Sequence, residues 1–222
     1  MAAMTHYKCV LFDLDGTLVD SLVDLADSMN RVLTGQGFPA HPIQAYRYFV
    51  GDGITKLVQR ALPTETQKPE LIQDCVQKMR QEYALHWADT TKPYPGIAEL
   101  LDTLATRHIP MVILSNKPDA LTKVVVKKLL PAWHFAIVAG ASETIARKPD
   151  PDGALRIAKM LHLEPEDFLY LGDTNTDMQT ARSARMFAVG ALWGFRTAGE
   201  LKKNGAQALL SVPMELCPLL DL

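Results

Sequence analysis

Short apolar runs alternate with longer segments of helical period along most of this chain. The runs are CVLF (9–12), MVILS (111–115), FAIVA (135–139), FLYL (168–171) and FAVGAL (187–192). They are continuous rather than alternating, the pattern of strands covered on both faces of a parallel sheet. Between them lie helical patterns. In PGIAELLDTLATRH, Ile97, Leu100, Leu101 and Leu104 fall at i, i+3, i+4 and i+7, and Leu121, Val124, Val125 and Leu129 do much the same in DALTKVVVKKLL. Strand alternating with helix predicts an α/β fold, a doubly wound parallel sheet.

The rhythm breaks once. From the first run to the helix near 95–107 no convincing strand is found, and the pattern predicts three helices. The first carries Leu22, Leu25, Ala26, Met29 and Leu33, with Ser21 as its cap and GQGFP as its stop. The second is GITKLVQRAL, and the third is PELIQDCVQKMRQEYALHW, with Leu71, Cys75, Met79, Tyr83 and Trp87 at steps of four. TTKPYPG at 90–96 reads as a linker back to the sheet. The expected organisation is therefore a core of 1–18 and 92–222 and an inserted helical domain of 19–91.

Composition fits this. A chain of 222 residues, 48% hydrophobic and 22% charged, is globular and long enough for a sizeable core. The net charge of −2, with no basic stripe, argues against nucleic acid and anionic membrane as partners. The three cysteines, Cys9, Cys75 and Cys217, have no metal-ligand spacing and are expected as buried thiols in a reducing cytoplasm. MAAMTHYKCVLF lacks signal-peptide character, and no stretch approaches the length of a membrane span. A monomer or a homodimer fits equally well.

In open α/β sheets, ligands bind beyond the carboxyl ends of the strands. Here those ends carry DLDGT (Asp13, Asp15, Gly16, Thr17), SNKP (Ser115, Asn116) and GDTNTD (Asp173, Asp177), and ARKPDPDG supplies Lys148. Asp13 and Asp15, two apart on an extended strand, should share a face. Two carboxylates that close stay ionised only if a cation joins them; otherwise one holds a proton. With Asp173 added, the donors are hard oxygens suited to Mg²⁺ with water and substrate phosphate. A phosphoryl transfer then follows from the parts. Asp13 serves as nucleophile, Asp15 as general acid and then base, Ser115, Lys148 and backbone N–H groups hold the phosphoryl oxygens, and Gly16 allows backbone approach. Pro149 keeps Lys148 extended, and Asp150 can cap a helix beginning at Pro151.

Taken singly, each fragment has a plainer reading. Asp13 and Asp15 can be a turn and a cap, Lys148 a solvated charge, Ser115 a helix cap, Thr17 a local backbone partner, and Asp177 first-turn helix electrostatics. In the insert, Gly51, Asp52 and Gly53 form either a turn or a loop reaching substrate, with Arg47 and Lys56 near it. Arg47, Lys56 and Arg196 could bind a substrate carboxylate, but the plainer reading of each, Arg196 included, is a solvated charge at the surface.

Together, DLDGTLVDS, SNKP, RKPDP and GDTNTD resemble the four motifs of the haloacid dehalogenase superfamily, in its order and over nearly the whole chain. The resemblance implies a Rossmann-like core of strand order 5-4-1-2-3 with a mobile helical cap after the first motif. It implies Mg²⁺ on Asp13, the main-chain carbonyl of Asp15, and Asp173, with Asp177 outside them. The acid at Asp15 implies a phosphate ester. NKP, WGFR (193–196) and VGDGITKLVQRAL are similar to phosphoglycolate phosphatases within that superfamily, so the expected partner is a small phosphorylated metabolite, 2-phosphoglycolate first. Ser115, Asn116, Thr17 and the insert residues Gly51, Asp52, Arg47 and Lys56 are the expected substrate contacts. A phosphomutase of the same fold and a non-catalytic binding protein are the alternatives.

Overall fold

The computed structural model describes residues 7–221. Residues 1–6 and 222, which include the start of the stretch lacking signal-peptide character and the outer ends of the expected core, lie outside them. The chain divides into two compact units, one running through Leu18 and resuming at Pro93, the other Val19–Lys92.

The first unit is built on a six-stranded sheet. Its strands are β1 (Cys9–Phe12), β4 (Met111–Pro118), β5 (Ile137–Ala141), β6 (Phe168–Gly172), β7 (Phe187–Ala191) and β8 (Ala208–Leu210). Their order is β5-β4-β1-β6-β7-β8, and every pairing is parallel. Between them lie α5 (Ile97–Thr106), α6 (Asp119–Leu129), α7 (Asp152–Met160), α8 (Asn175–Ser183) and α9 (Ala198–Lys203). The first five strands thus stand in the order that the motifs imply, with β1 central. β8 is an addition. It is a three-residue edge strand, too short and too poor in β-branched residues to register as a strand in sequence. β5 begins two residues later than the FAIVA run, at Ile137.

β1 is wholly buried, as a central parallel strand must be. Leu11, Val112, Leu114, Phe168 and Tyr170 pack with Ile157 of α7 and with Met178 and Ala181 of α8 into one core. Register places the site: Phe12 lies opposite Ile113 of β4 and Leu171 of β6. The next residues of all three strands therefore emerge at one edge, and the Asp13 N–H donates to the carbonyl of Leu171 at 2.9 Å.

The second unit is helical: α1 (Leu22–Gly35), α2 (Ile43–Phe49), α3 (Ile54–Ala61) and α4 (Pro69–His86). α1 and α3 both pack on α4. α2 is not signalled by the sequence pattern; it has a single buried residue, Tyr46, whose hydroxyl donates to Asn30 of α1 at 2.7 Å. Ser21 occupies the cap position of α1, but its side chain makes no cap bond. Thr90 and Thr91 do not act as a loose linker. Their N–H and hydroxyl groups all donate to the buried carboxylate of Asp24 on α1, the hydroxyls at 2.6 Å. Those bonds outweigh the upward push of burial and hold the Asp24 carboxyl below its ordinary value. β2 (Val19–Asp20) and β3 (Lys92–Pro93) form a two-stranded ribbon. No helix among the described residues is long and apolar enough to cross a membrane.

Candidate active site

Three acids meet at the edge where β1, β4 and β6 end. Asp13 follows β1, Asp173 follows β6, and Asp177 stands in the first turn of α8; one carboxylate oxygen from each lies within 4.8 Å of the others. All three are buried. Lys148 enters this cluster from the segment between β5 and α7. Its ammonium is 2.7 Å from Asp13 Oδ1 and 2.6 Å from Asp177 Oδ1, with its side chain only 3% exposed. Three carboxylates thus face one ammonium, an imbalance that buried charge does not tolerate. Burial and the Asp177 carboxylate accordingly push Asp13 up to about 7, against the pull of Lys148. Burial, Asp177 and Asp13 likewise hold Asp173 well above the usual carboxylate range. Hard oxygen donors this close, with excess negative charge, fit a divalent cation such as Mg²⁺.

Each acid is fixed by its surroundings. Asp173 Oδ1 accepts from the Thr17 hydroxyl at 3.0 Å, and its Oδ2 accepts from the Phe195 N–H at 2.7 Å. The Thr17 hydroxyl therefore ties to an acid 156 residues away, while its N–H makes the local backbone bond, donating to the Leu14 carbonyl at 3.3 Å. Gly16 (φ +90°) and Gly194 both pass so close to Asp173 that a Cβ on either would strike it. Asp177 accepts on Oδ1 from Lys148 and on Oδ2 from the Thr174 N–H and hydroxyl, closing a capping box at α8. Its helix-terminus reading and its site reading thus both hold. Tyr170 stands behind it, its hydroxyl donating to Asp177 at 3.4 Å.

Lys148 is positioned by Asn116. The Asn116 Oδ1 accepts from the Lys148 N–H at 2.8 Å, and its amide donates to the Lys148 carbonyl at 3.0 Å. Asn116, expected on substrate, is engaged in holding the lysine's main chain. The helix beyond begins at Asp152, with Pro151 in the cap place and Asp150 Oδ1 accepting from the Asp152 N–H at 2.9 Å. Ser115 is buried, and its hydroxyl accepts from the Lys117 N–H at 3.2 Å; it does not cap α6, whose cap residue is Pro118.

The reason expected for the pairing of Asp13 with Asp15 needs correction. β1 ends at Phe12, so strand alternation does not place the two carboxylates on one face. Asp177 crowds Asp13 more than Asp15 does. Asp15 is partnered separately: both of its oxygens accept from the Lys117 ammonium at 2.8 Å. Arg196, expected at the surface, is only 6% exposed. The indole N–H of Trp193 donates to the Thr17 carbonyl at 2.9 Å, so the WGFR segment walls the site. Gly51, Asp52, Arg47 and Lys56 belong to the helical unit. There Asp52 pairs with Arg60, Arg47 is half-buried on α2, and Lys56 is exposed on α3.

Sequence reasoning gave no role to Lys117, Tyr170 or Thr174. The Thr174-x-x-Asp177 spacing is a capping-box signature and could have been read. Lys117 stands in the NKP motif but its partner is set by strand adjacency, and Tyr170 meets Asp177 seven residues on, where its own strand turns into α8.

The haloacid dehalogenase-like hydrolase family matches residues 10–191. The chain belongs to that family. It is an enzyme, a phosphatase of this fold. It is similar to a phosphoglycolate phosphatase of Chromobacterium violaceum, 32% identical over 98% of both chains. It is also similar to one of Aquifex aeolicus, 29% identical over 96% of this chain and 97% of that one. A crystal structure from Lactobacillus delbrueckii subsp. bulgaricus superposes with a TM-score of 0.86 at 29% identity, covering 97% of this chain and 98% of that one.

Proposed function

We propose that this phosphatase hydrolyses a small phosphate monoester, 2-phosphoglycolate first, through an aspartyl-phosphate on Asp13, with Mg²⁺ bound. The observation that carries the mechanism is the division of labour among the acids. Three are clustered and buried around Lys148, while Asp15 is held apart on Lys117. The substrate rests on the relatives named phosphoglycolate phosphatase, which align with this chain nearly end to end.

Asp13 attacks phosphorus, and the bond from phosphorus to the alcohol oxygen breaks as Asp15 gives that oxygen a proton. Asp15 then takes a proton from water, which attacks the same phosphorus and releases inorganic phosphate and the Asp13 carboxylate. Lys148 holds Asp13 in line and offsets charge on the phosphoryl oxygens, with Ser115 beside them. Asp13, Asp173 and the main-chain carbonyl of Asp15 would hold Mg²⁺, which supplies positive charge against the transferring group. Asp177, whose two oxygens already accept from Lys148 and Thr174, acts from behind them. Three buried free thiols suit a reducing cytoplasm as its place of work.

The test is phosphate release from a panel of esters, with Mg²⁺ and with chelator. 2-Phosphoglycolate should rank first, chelator should abolish release, and Asp13→Asn should remove essentially all turnover. A variant keeping a tenth of the wild-type rate has lost only about 1.4 kcal/mol of barrier lowering, too little for a covalent nucleophile, and would refute the intermediate. Isomerised sugar phosphate from a hexose 1-phosphate, in place of free phosphate, would assign the chain to mutase chemistry.

A further inference from the structure

Lys117 is a buried cation beside the acids that the mechanism above leaves without a task. Its side chain is 4% exposed, and its ammonium lies 2.8 Å from both oxygens of Asp15, itself 19% exposed. Its main chain is fixed at the end of β4: the N–H donates to Ser115 Oγ, and the carbonyl accepts from the Thr122 hydroxyl, each at 3.2 Å. A rigid base thus carries a long flexible stem whose head rests on a more exposed carboxylate. A buried ammonium needs an anion, but it does not need this one. Any carboxylate brought to the same place can take over the pair.

We propose that Lys117 is a specificity-determining residue that exchanges Asp15 for a carboxylate on the substrate. The inference rests on the phosphoglycolate reading and deepens it. In 2-phosphoglycolate the carboxylate is separated from the ester oxygen by a single methylene. It therefore arrives beside Asp15 whenever the phosphoryl group sits at Asp13. Drawing the ammonium to itself, it frees Asp15 to turn toward the ester oxygen. An ester of a neutral alcohol has no such group, so Asp15 stays engaged by Lys117. Selection for an acidic substrate is thereby built into the core of the fold, on the strand next to the nucleophile.

The test compares 2-phosphoglycolate with 2-hydroxyethyl phosphate, an ester of similar size whose alcohol carries no charge. In Lys117→Met, kcat/KM for phosphoglycolate should fall about 10- to 100-fold, the range of a lost charge-assisted contact. For hydroxyethyl phosphate it should rise, because Asp15 is released. Lys117→Arg keeps the charge and should retain part of the preference; it carries the test if the Met variant fails to fold. Equal losses on both esters, or an unchanged ratio, would overturn the role of Lys117 while leaving the phosphatase reading standing. A wild-type enzyme that hydrolyses both esters equally, or neither, would overturn the substrate reading and this inference together.

Discussion

Replacing Lys148 by Met keeps much of the side chain's volume and deletes the charge that the buried Asp13 and Asp177 share. The ammonium contacts Asp13 at 2.7 Å and Asp177 at 2.6 Å, both out of water. Removing one partner of a buried pair costs about 3–5 kcal/mol, because the remaining charge is uncompensated. For a chain of this size each kcal/mol is worth roughly 2–4 °C, so Tm should drop by about 6–20 °C in metal-free buffer at pH 8. The loss should depend on pH, with a definite sign. Burial and the Asp177 carboxylate already push Asp13 up to about 7 from its ordinary 3.8, and Lys148 is one of the influences pulling it down. Without the lysine, Asp13 moves higher still. An acid with a raised folded value favours the fold at low pH and withdraws that support as pH rises through the value. The variant should therefore lie closer to wild type at pH 5 than at pH 8. Adding Asp177→Asn to the variant removes one of the unpaired charges and should recover a good part of the stability, but none of the activity. Scanning calorimetry of the three proteins in chelator at both pH values decides this. A Tm drop that is the same at pH 5 and pH 8, with no recovery in the double variant, would refute the charge-balance account of the cluster.

Two other outcomes are expected. Asp24→Asn should cost the fold about 2–4 kcal/mol in urea unfolding, because four donors lose a charged acceptor. Its lowered carboxyl value means that the wild-type contribution is present above the ordinary carboxylate range and lost as pH falls through the lowered one, so acid should erase the difference between the two proteins. Ser28 is fully buried on α1, and its hydroxyl has no hydrogen-bond partner. Ser28→Ala should therefore leave stability unchanged or raise it by up to about 1 kcal/mol, and a loss of that size would mean that the hydroxyl is satisfied in solution.

The sheet was legible because buried parallel strands write themselves as continuous apolar runs, and the five such runs lie within a few residues of β1, β4, β5, β6 and β7. β8 and α2 were not, since a three-residue edge strand and a helix with one buried side chain leave no periodicity to read. At the site, residue types at strand ends brought Asp13, Asp173, Asp177 and Lys148 into view before any contact was known. What pairs with what was hidden. Lys117 meets an acid 102 residues earlier, and Asn116 reaches main chain 32 residues later. Such partners follow from which strands are adjacent, and no local spacing records that. Arg196 was misjudged for a related reason: charge predicts exposure only until a neighbouring segment covers it.

The grip of Thr90 and Thr91 on Asp24 joins the beginning of the helical unit to its end. A segment closed on itself in this way behaves as a cassette. The sheet receives one chain leaving and one returning, whatever lies between them. Helices can be lengthened, lost or replaced inside the closure while the strand ends and their acids stay as they are. The helical unit can then change at its own speed in one lineage, with the three-residue clasp marking where the exchangeable part begins.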